Sequence, residues 1–155
     1  MTDESHVLKC IILTLKKENI LIPSAVVAEI VSVEDIEPVA DSPDWMMGKF
    51  RWRNEYIPLV SFDVAGGGDV GVKNRSTQVA VLFVLNDDSE LALPYVGLMI
   101  SGVPHVSRFT ADQIKADEDS LTDHPMVAQR VKVNGVSMSI LDIDAMETMV
   151  AESSY

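Results

Sequence analysis

Side chains capable of acid–base or metal chemistry are few in this sequence, and their spacing is unfavourable. The three histidines, His6, His105 and His124, lack the local spacing that metal-binding residues use, and no nucleophile, base and orienting group can be combined around them. The acidic run 117–119, with Asp123, lacks the alternating ligands and central glycine of a calcium loop. We therefore expect no catalytic residue, no metal site and no cofactor, and we predict that the protein is not an enzyme.

The glycine-rich stretch 66–71 resembles a phosphate-binding loop in composition only. Such a loop ends in Gly-Lys-Ser/Thr at a helix N-terminus, so that the lysine and backbone N–H groups converge on phosphates. Here Val72 separates Gly71 from Lys73, and no helical pattern follows. We predict a flexible connector that divides the chain near its middle.

Length and charge narrow the class of protein. The 155 residues suit one domain, and 24 acidic against 12 basic residues give a formal net charge of −12. This charge opposes nucleic-acid binding, which depends on neutralising phosphates.

The N-terminus is acidic where a signal peptide would be basic, and no apolar stretch approaches the ~20 residues of a membrane span. We expect a cytoplasmic protein with no membrane insertion, whose single cysteine, Cys10, is buried and inert.

Short extended segments dominate the pattern. Polar turns that separate apolar runs predict hairpins at residues 16–19, at 53–55 and at Asn134-Gly135, the last being the strongest turn signal in the chain. Val79 to Leu85 is an almost purely apolar strand, and residues 90–93 are its expected return arm. About nine such strands, without the helical pattern of a βαβ unit, predict an all-β barrel fold.

The helical signals are short. Thr110 to Gln113 fits a capping box, after a further extended segment from Gly97 to Val106. Asp142 or Asp144 begins a terminal helix that reaches about Met149. These pieces add short helices to a fold made mainly of strands.

The most unusual segment runs from Trp45 to Arg53. It contains both tryptophans of the chain, two methionines and three basic residues on an otherwise acidic protein. On a strand, Lys49, Arg51 and Arg53 would share one face, with Trp52 on the other. Tryptophan, methionine and arginine are enriched at protein contacts, so we predict a partner-binding strand rather than a merely solvated one.

This segment and stretches on both sides of it resemble the CheW-like family of chemotaxis coupling proteins. The matching stretches occur in the family's order and cover almost the whole chain: Glu29-Ile30-Val31, Pro43 to Gly48, Arg51 to Asn54, Tyr56 to Val60, Val96 to Ile100, Thr110 to Ile114 and Asn134 to Ile143. The resemblance implies a single domain, residues 1–155, made of two small five-stranded SH3-like β-barrels packed together with short helices. We expect the two halves to be divided near residues 66–76, so that residues up to about 65 and from about 77 form separate barrels.

The resemblance also implies a task and the residues that perform it. Members couple the cytoplasmic tip of a methyl-accepting chemoreceptor to a CheA-type histidine kinase. Carried over by position, Glu29, Gly48 and Arg53 match family positions implicated in these contacts, and the residue types add Arg51 and Trp52. We predict these five as the partner-binding residues, with Glu29 and Arg53 forming a partly buried ion pair worth roughly 3–5 kcal/mol if broken from one side.

Four positions depart from the family pattern. Arg51 stands in place of an asparagine, Asn54 in place of a glycine, and Ser61 and Ser101 in place of aspartates. These departures favour a divergent coupler in a pilus-based or other accessory chemosensory system. The alternatives are a small β-barrel scaffold or regulatory domain outside chemotaxis, a metal-assisted hydrolase built on the acidic loops and, more distantly, a nucleic-acid-binding barrel.

Overall fold

Eleven strands and two helices make up the part of the chain that the structure, a computed structural model, describes: residues 7–16, 18–68, 77–84, 94–120 and 122–153. Two 3-10 turns, Ser24–Val26 and Ala111–Gln113, interrupt the strands. The elements are β1 Val7–Thr14, β2 Asn19–Pro23, β3 Val27–Val33, β4 Met46–Trp52, β5 Glu55–Val60, α1 Phe62–Ala65, β6 Thr77–Phe83, β7 Tyr95–Ile100, β8 His105–Thr110, β9 Ile114–Ala116, β10 Val127–Val133, β11 Val136–Leu141 and α2 Ile143–Glu152. The predicted all-β class with short helices is confirmed.

The strands form two sheets, one of six strands and one of five. The six-stranded sheet has the order β8-β1-β2-β11-β10-β9, and the five-stranded sheet has the order β3-β6-β7-β5-β4. Most neighbours are antiparallel; β2 with β11 and β5 with β7 are short parallel pairs. The sheets therefore differ in strand number, whereas five strands were expected in each.

The expected division of the chain into a first-half barrel and a second-half barrel is wrong. Strands β1 and β2 pair with β8 and β11 of the second half, and β6 and β7 lie between β3 and β5 of the first half. An isolated two-stranded hairpin is marginally stable, so β1 and β2 gain their sheet only from strands that come much later in the chain. Of the connector predicted at residues 66–71, residues 66–68 donate backbone hydrogen bonds to the end of α1, and residues 69–71 lie outside the described residues.

Three apolar clusters among the described residues hold the two sheets together. One lies within the five-stranded sheet around Phe50 and Leu59, and a second lies within the six-stranded sheet around Phe109 and Val131. The third and largest combines residues of both sheets with the buried face of α2, including Met146, and so packs the two sheets together. Because side chains alternate along a strand, each sheet packs one set of side chains into its own cluster and the other set against the second sheet.

The local turn and capping signals behave as the sequence predicts. Asn134 and Gly135 both have positive φ and join β10 to β11, which is the type I′ hairpin expected from Asn-Gly. Thr110 and Gln113 form the predicted capping box, which here holds a 3-10 turn. Asp142 caps α2 by accepting a hydrogen bond from the N–H of Ala145 at 3.0 Å.

One strand prediction needs correction, and the structure adds one helix. The single extended segment from Gly97 to Val106 is two strands in different sheets, because the chain leaves β7 through Gly102 and Pro104 before β8 begins. Helix α1 was not predicted, although Ser61 caps it by accepting from the N–H of Val64 at 3.2 Å. The expected turn and return arm at residues 86–93 lie outside the described residues.

Candidate functional site

The site is built on the hairpin that joins β4 to β5. Trp52 pairs with Glu55 at the end of the ladder, and Arg53 and Asn54 form a two-residue turn with φ of 50° and 64°. Asparagine enters the left-handed region more readily than most residues, so Asn54 preserves a turn for which the family pattern has glycine. Arg53 adopts the same backbone region and is therefore no longer part of the strand.

Three side chains meet beside this turn, and we call them the Glu29 cluster: Glu29, Trp52 and Arg53. The indole Nε1–H of Trp52 donates to Oε1 of Glu29 at 2.9 Å. Nη2 of Arg53 lies 3.7 Å from the same oxygen, and the guanidinium lies over the Trp52 ring, 4.4 Å from its centre. The predicted approach of Glu29 and Arg53 is confirmed.

The ion pair itself is weaker than we expected, because it is exposed. The side chains of Arg53 and Glu29 are 64% and 46% exposed, so solvent screens their attraction. Exposed pairs of this kind contribute about 0–1 kcal/mol, and the predicted burial with its roughly 3–5 kcal/mol penalty is wrong. The hydrogen bond from Trp52, a residue that is only 7% exposed, fixes the carboxylate more firmly.

Gly48 has a geometric role under this site. It lies at a bulge in β4 with φ of 140°, and a Cβ there would come within 2.3 Å of the carbonyl oxygen of Glu37. Glu37 and the adjacent Lys49 exchange backbone hydrogen bonds of 2.8 Å in both directions. Gly48 thus lets the chain that follows β3 return and pair with β4.

The predicted basic face is only partly realised. Lys49 and Arg51 do lie on the outer face of β4, where the Lys49 ammonium is 5.2 Å from the centre of the Tyr56 ring. Arg53 has left that face, since β4 ends at Trp52 and the positive φ of the turn redirects the chain. Carboxylates also border this surface. Glu34 and Asp35, together with Arg51, line two neighbouring cavities.

These two cavities, each of about 560 Å³, share three residues: Arg51, Glu34 and Asp35. The first is otherwise lined by Glu29, Val31 to Val33, Trp52 and Arg53, and the second by Ile36, Glu37 and Tyr56. Glu34 and Asp35 were missed as site residues, because the sequence presents the stretch from residue 34 as an acidic loop. Their position follows from the return of the chain to β4, which local patterns do not reveal.

The histidines and acidic loops do not assemble a chemical site in the described part of the chain. His105 is exposed on β8, and His124 stacks on the Phe62 ring with centroids 3.8 Å apart. His124 Nδ1 accepts a hydrogen bond from the N–H of Met126 at 3.0 Å, and Nε2 lies 2.7 Å from the carbonyl oxygen of Phe62. Both ring nitrogens are therefore engaged with the backbone of the fold. No group of three potential metal ligands occurs among the described residues; His6 lies outside them. Within that part of the chain, neither helix is long and apolar enough to cross a membrane.

Comparisons with known proteins agree with this architecture. Among solved structures, the chain is similar to the scaffolding protein TtCheW from Thermoanaerobacter tengcongensis, with a TM-score of 0.69 and 18% sequence identity over 86% of this chain and 88% of that chain. A search of curated proteins gives no match. The model of the CheW-like domain matches residues 9–149, which is most of the chain. The chain therefore belongs to the CheW-like domain family.

Proposed function

We propose that this protein is a non-catalytic cytoplasmic adaptor that couples the tip of a methyl-accepting chemoreceptor to a CheA-type histidine kinase. The observation that carries the proposal is the Glu29 cluster, because two of its members, Glu29 and Arg53, match positions implicated in the family's contacts and meet within a CheW-like domain. Gly48, at the third such position, shapes the backbone beside the cluster.

The chemistry of the surface supports a binding role. The carboxylate of Glu29 and the guanidinium of Arg53 lie beside the Trp52 ring at a two-residue turn, so charges of both signs are displayed at one place. Charged groups of this kind govern the encounter and specificity of protein partners. The solved relative TtCheW is described as a scaffolding protein, and we extend that role to this chain as part of the proposal.

The departures from the family pattern preserve local structure while changing what is displayed. Asn54 keeps the left-handed turn and Ser61 keeps a helix cap, so both fulfil the backbone role of the residues they replace. Arg51 instead adds an exposed charge between two cavities. We infer a coupler adapted to its own receptor and kinase, in a pilus-based or other accessory system.

Co-elution of the purified full chain with its partners tests the proposal. The partners are a regulatory fragment of a CheA-type kinase and a receptor-tip fragment from the same organism, each at about 50 µM, where a micromolar complex is retained. We expect both to co-elute, and kinase autophosphorylation to respond to the receptor only when the adaptor is present. Failure of both fragments to bind folded protein contradicts the proposal and favours a scaffold outside chemotaxis.

A further inference from the structure

The two edge strands of the five-stranded sheet face each other without pairing. Among the described residues, β3 pairs with β6 and β4 pairs with β5, apart from the isolated bridge between Glu37 and Lys49. No backbone hydrogen bond joins residues 27–33 to residues 46–52 in the described part of the chain. The gap is closed at one end by the Glu37–Lys49 bridge and at the other by the Glu29 cluster. We call it the β3–β4 slot: Glu29, Val31 to Asp35 and Arg51 to Arg53.

The dimensions of the slot suit one short strand. From the Lys49 bridge to its last residue, Trp52, the edge of β4 spans three residue steps, or about 10 Å at ~3.3 Å per residue. The cavity of about 560 Å³ lies within the range of peptide and ligand sites. Its two walls are sheet edges, whose outward N–H and C=O groups are the usual template for an added strand.

The charge of the slot selects the occupant. Glu29 and Arg53 already compensate each other, which leaves the exposed carboxylates of Glu34 and Asp35 against the single guanidinium of Arg51. Glu37 adds a further carboxylate to the adjoining cavity. Among these described residues three carboxylates outnumber two cations, Arg51 and Lys49, whose ammonium lies beside the Tyr56 ring of the adjoining cavity. Lysine or arginine side chains on the occupant are therefore favoured over carboxylates.

We propose that the β3–β4 slot binds an extended, basic segment of a partner protein, which adds as a strand between the edges of β3 and β4. The inference rests on the proposed function in one respect: the protein that supplies the segment is a signalling partner. Main-chain hydrogen bonds to the two edges provide affinity, and Glu34 and Asp35 select basic side chains. Arg51 opposes such a segment and so limits which basic sequences enter.

A titration of the ¹⁵N-labelled full chain with the peptide acetyl-Lys-Val-Lys-Val-Lys-amide tests the slot. We expect shifted amide signals in residues 31–35 and 49–52, and at least tenfold weaker binding of the same peptide with N-methylated valines, which cannot donate main-chain hydrogen bonds. A peptide with glutamate in place of lysine is expected to bind at least tenfold more weakly as well.

Variants that neutralise exposed charged side chains show whether the lysine peptide binds at the β3–β4 slot. Glu34→Gln with Asp35→Asn is expected to weaken binding of the lysine peptide at least fivefold, and Arg51→Gln to strengthen it at least twofold. Glu118→Gln with Asp119→Asn removes the same two charges from an exposed loop before β10 and serves as the matched control, with binding unchanged. Equal binding of the N-methylated peptide, no detectable binding of the lysine peptide, or signal changes confined to other strands would overturn the proposal. Because a free peptide is used, such a failure leaves the co-elution test of the adaptor function intact.

Discussion

Trp52 donates its indole N–H to Glu29 across the gap between β4 and β3, at 2.9 Å. The ring also meets Tyr95 edge-on, with centroids 4.7 Å apart, and it is almost fully buried. Glu29 is about half exposed, and Arg53 covers the outer side of the same ring. A core side chain thus positions a surface carboxylate, so the packing of the five-stranded sheet and the geometry of the proposed partner surface depend on each other.

Trp52→Phe is expected to separate these two roles. It keeps a buried aromatic ring but removes the hydrogen bond to Glu29. We expect the free energy of unfolding to fall by about 1 kcal/mol from the lost bond, in addition to the loss from the smaller buried ring. Unfolding in urea, followed by circular dichroism, measures the change. Trp45→Phe is the matched control, because Trp45 is partly buried and its side chain makes no hydrogen bond within the described part of the chain. Equal destabilisation by both variants would contradict a role for the bond.

Gly48→Ala is expected to destabilise the fold more than alanine at another glycine with positive φ. At Gly48 the methyl group meets the Glu37 carbonyl and the backbone is strained, so we expect a loss of about 3 kcal/mol. At Gly135 a methyl group meets nothing within 4 Å, and the strain alone costs about 1 kcal/mol. Urea unfolding of both variants checks the difference. Similar losses at the two positions would show that the approach of Glu37 is not decisive.

Local signals predicted the parts of this fold that depend on neighbouring residues. The Asn134-Gly135 hairpin, the Asp142 cap and the turn predicted at residues 53–55, which the structure narrows to Arg53-Asn54, each follow from conformational preferences of one or two side chains. The strand order did not follow, because pairing of β1 with β8 joins residues almost a hundred positions apart, which no short pattern encodes.

The site shows the same limit. Residue types and family resemblance placed Glu29 near Arg53, and the distance confirms that approach. The exposure of the pair could not be foreseen, since it depends on where the hairpin turn sits relative to the sheet edge. Glu34 and Asp35 join the site only because Glu37 returns to pair with Lys49, a contact set by the close approach over Gly48.

Cys10 is expected to be unreactive in the folded protein. It is buried within the six-stranded sheet, and burial raises the pKa of its thiol. The thiolate is the reactive form, and raising the pKa reduces its fraction at pH 8. We expect alkylation by iodoacetamide at pH 8 to be at least about tenfold slower in native protein than in urea. A Val136→Cys variant in a Cys10→Ala background places a thiol on an exposed hairpin and provides the fast control. Rapid native labelling of Cys10 would show that the sheet opens readily.

Arg53→Ala is expected to weaken partner binding without unfolding the protein. Its side chain is 64% exposed and its ion pair contributes little, so we expect the melting temperature to change by at most about 3 °C. The Arg53 guanidinium, which lies over the Trp52 ring, is the cation of the Glu29 cluster. Its removal should therefore lower the affinity for the kinase fragment at least tenfold, or about 1.4 kcal/mol. Calorimetric titration of that fragment measures this loss.

Lys132→Ala removes an exposed cation from β10, remote in sequence and in a different sheet, and is the matched control for the change in net charge. It should bind the kinase fragment as tightly as the unmodified protein does. If both variants lose affinity equally, the attraction is a general effect of net charge, since long-range steering depends on total charge rather than on one site. If Arg53→Ala binds undiminished while remaining folded, the Glu29 cluster does not contact the kinase. The receptor-tip fragment, titrated with the same pair of variants, then decides whether the cluster serves that partner instead.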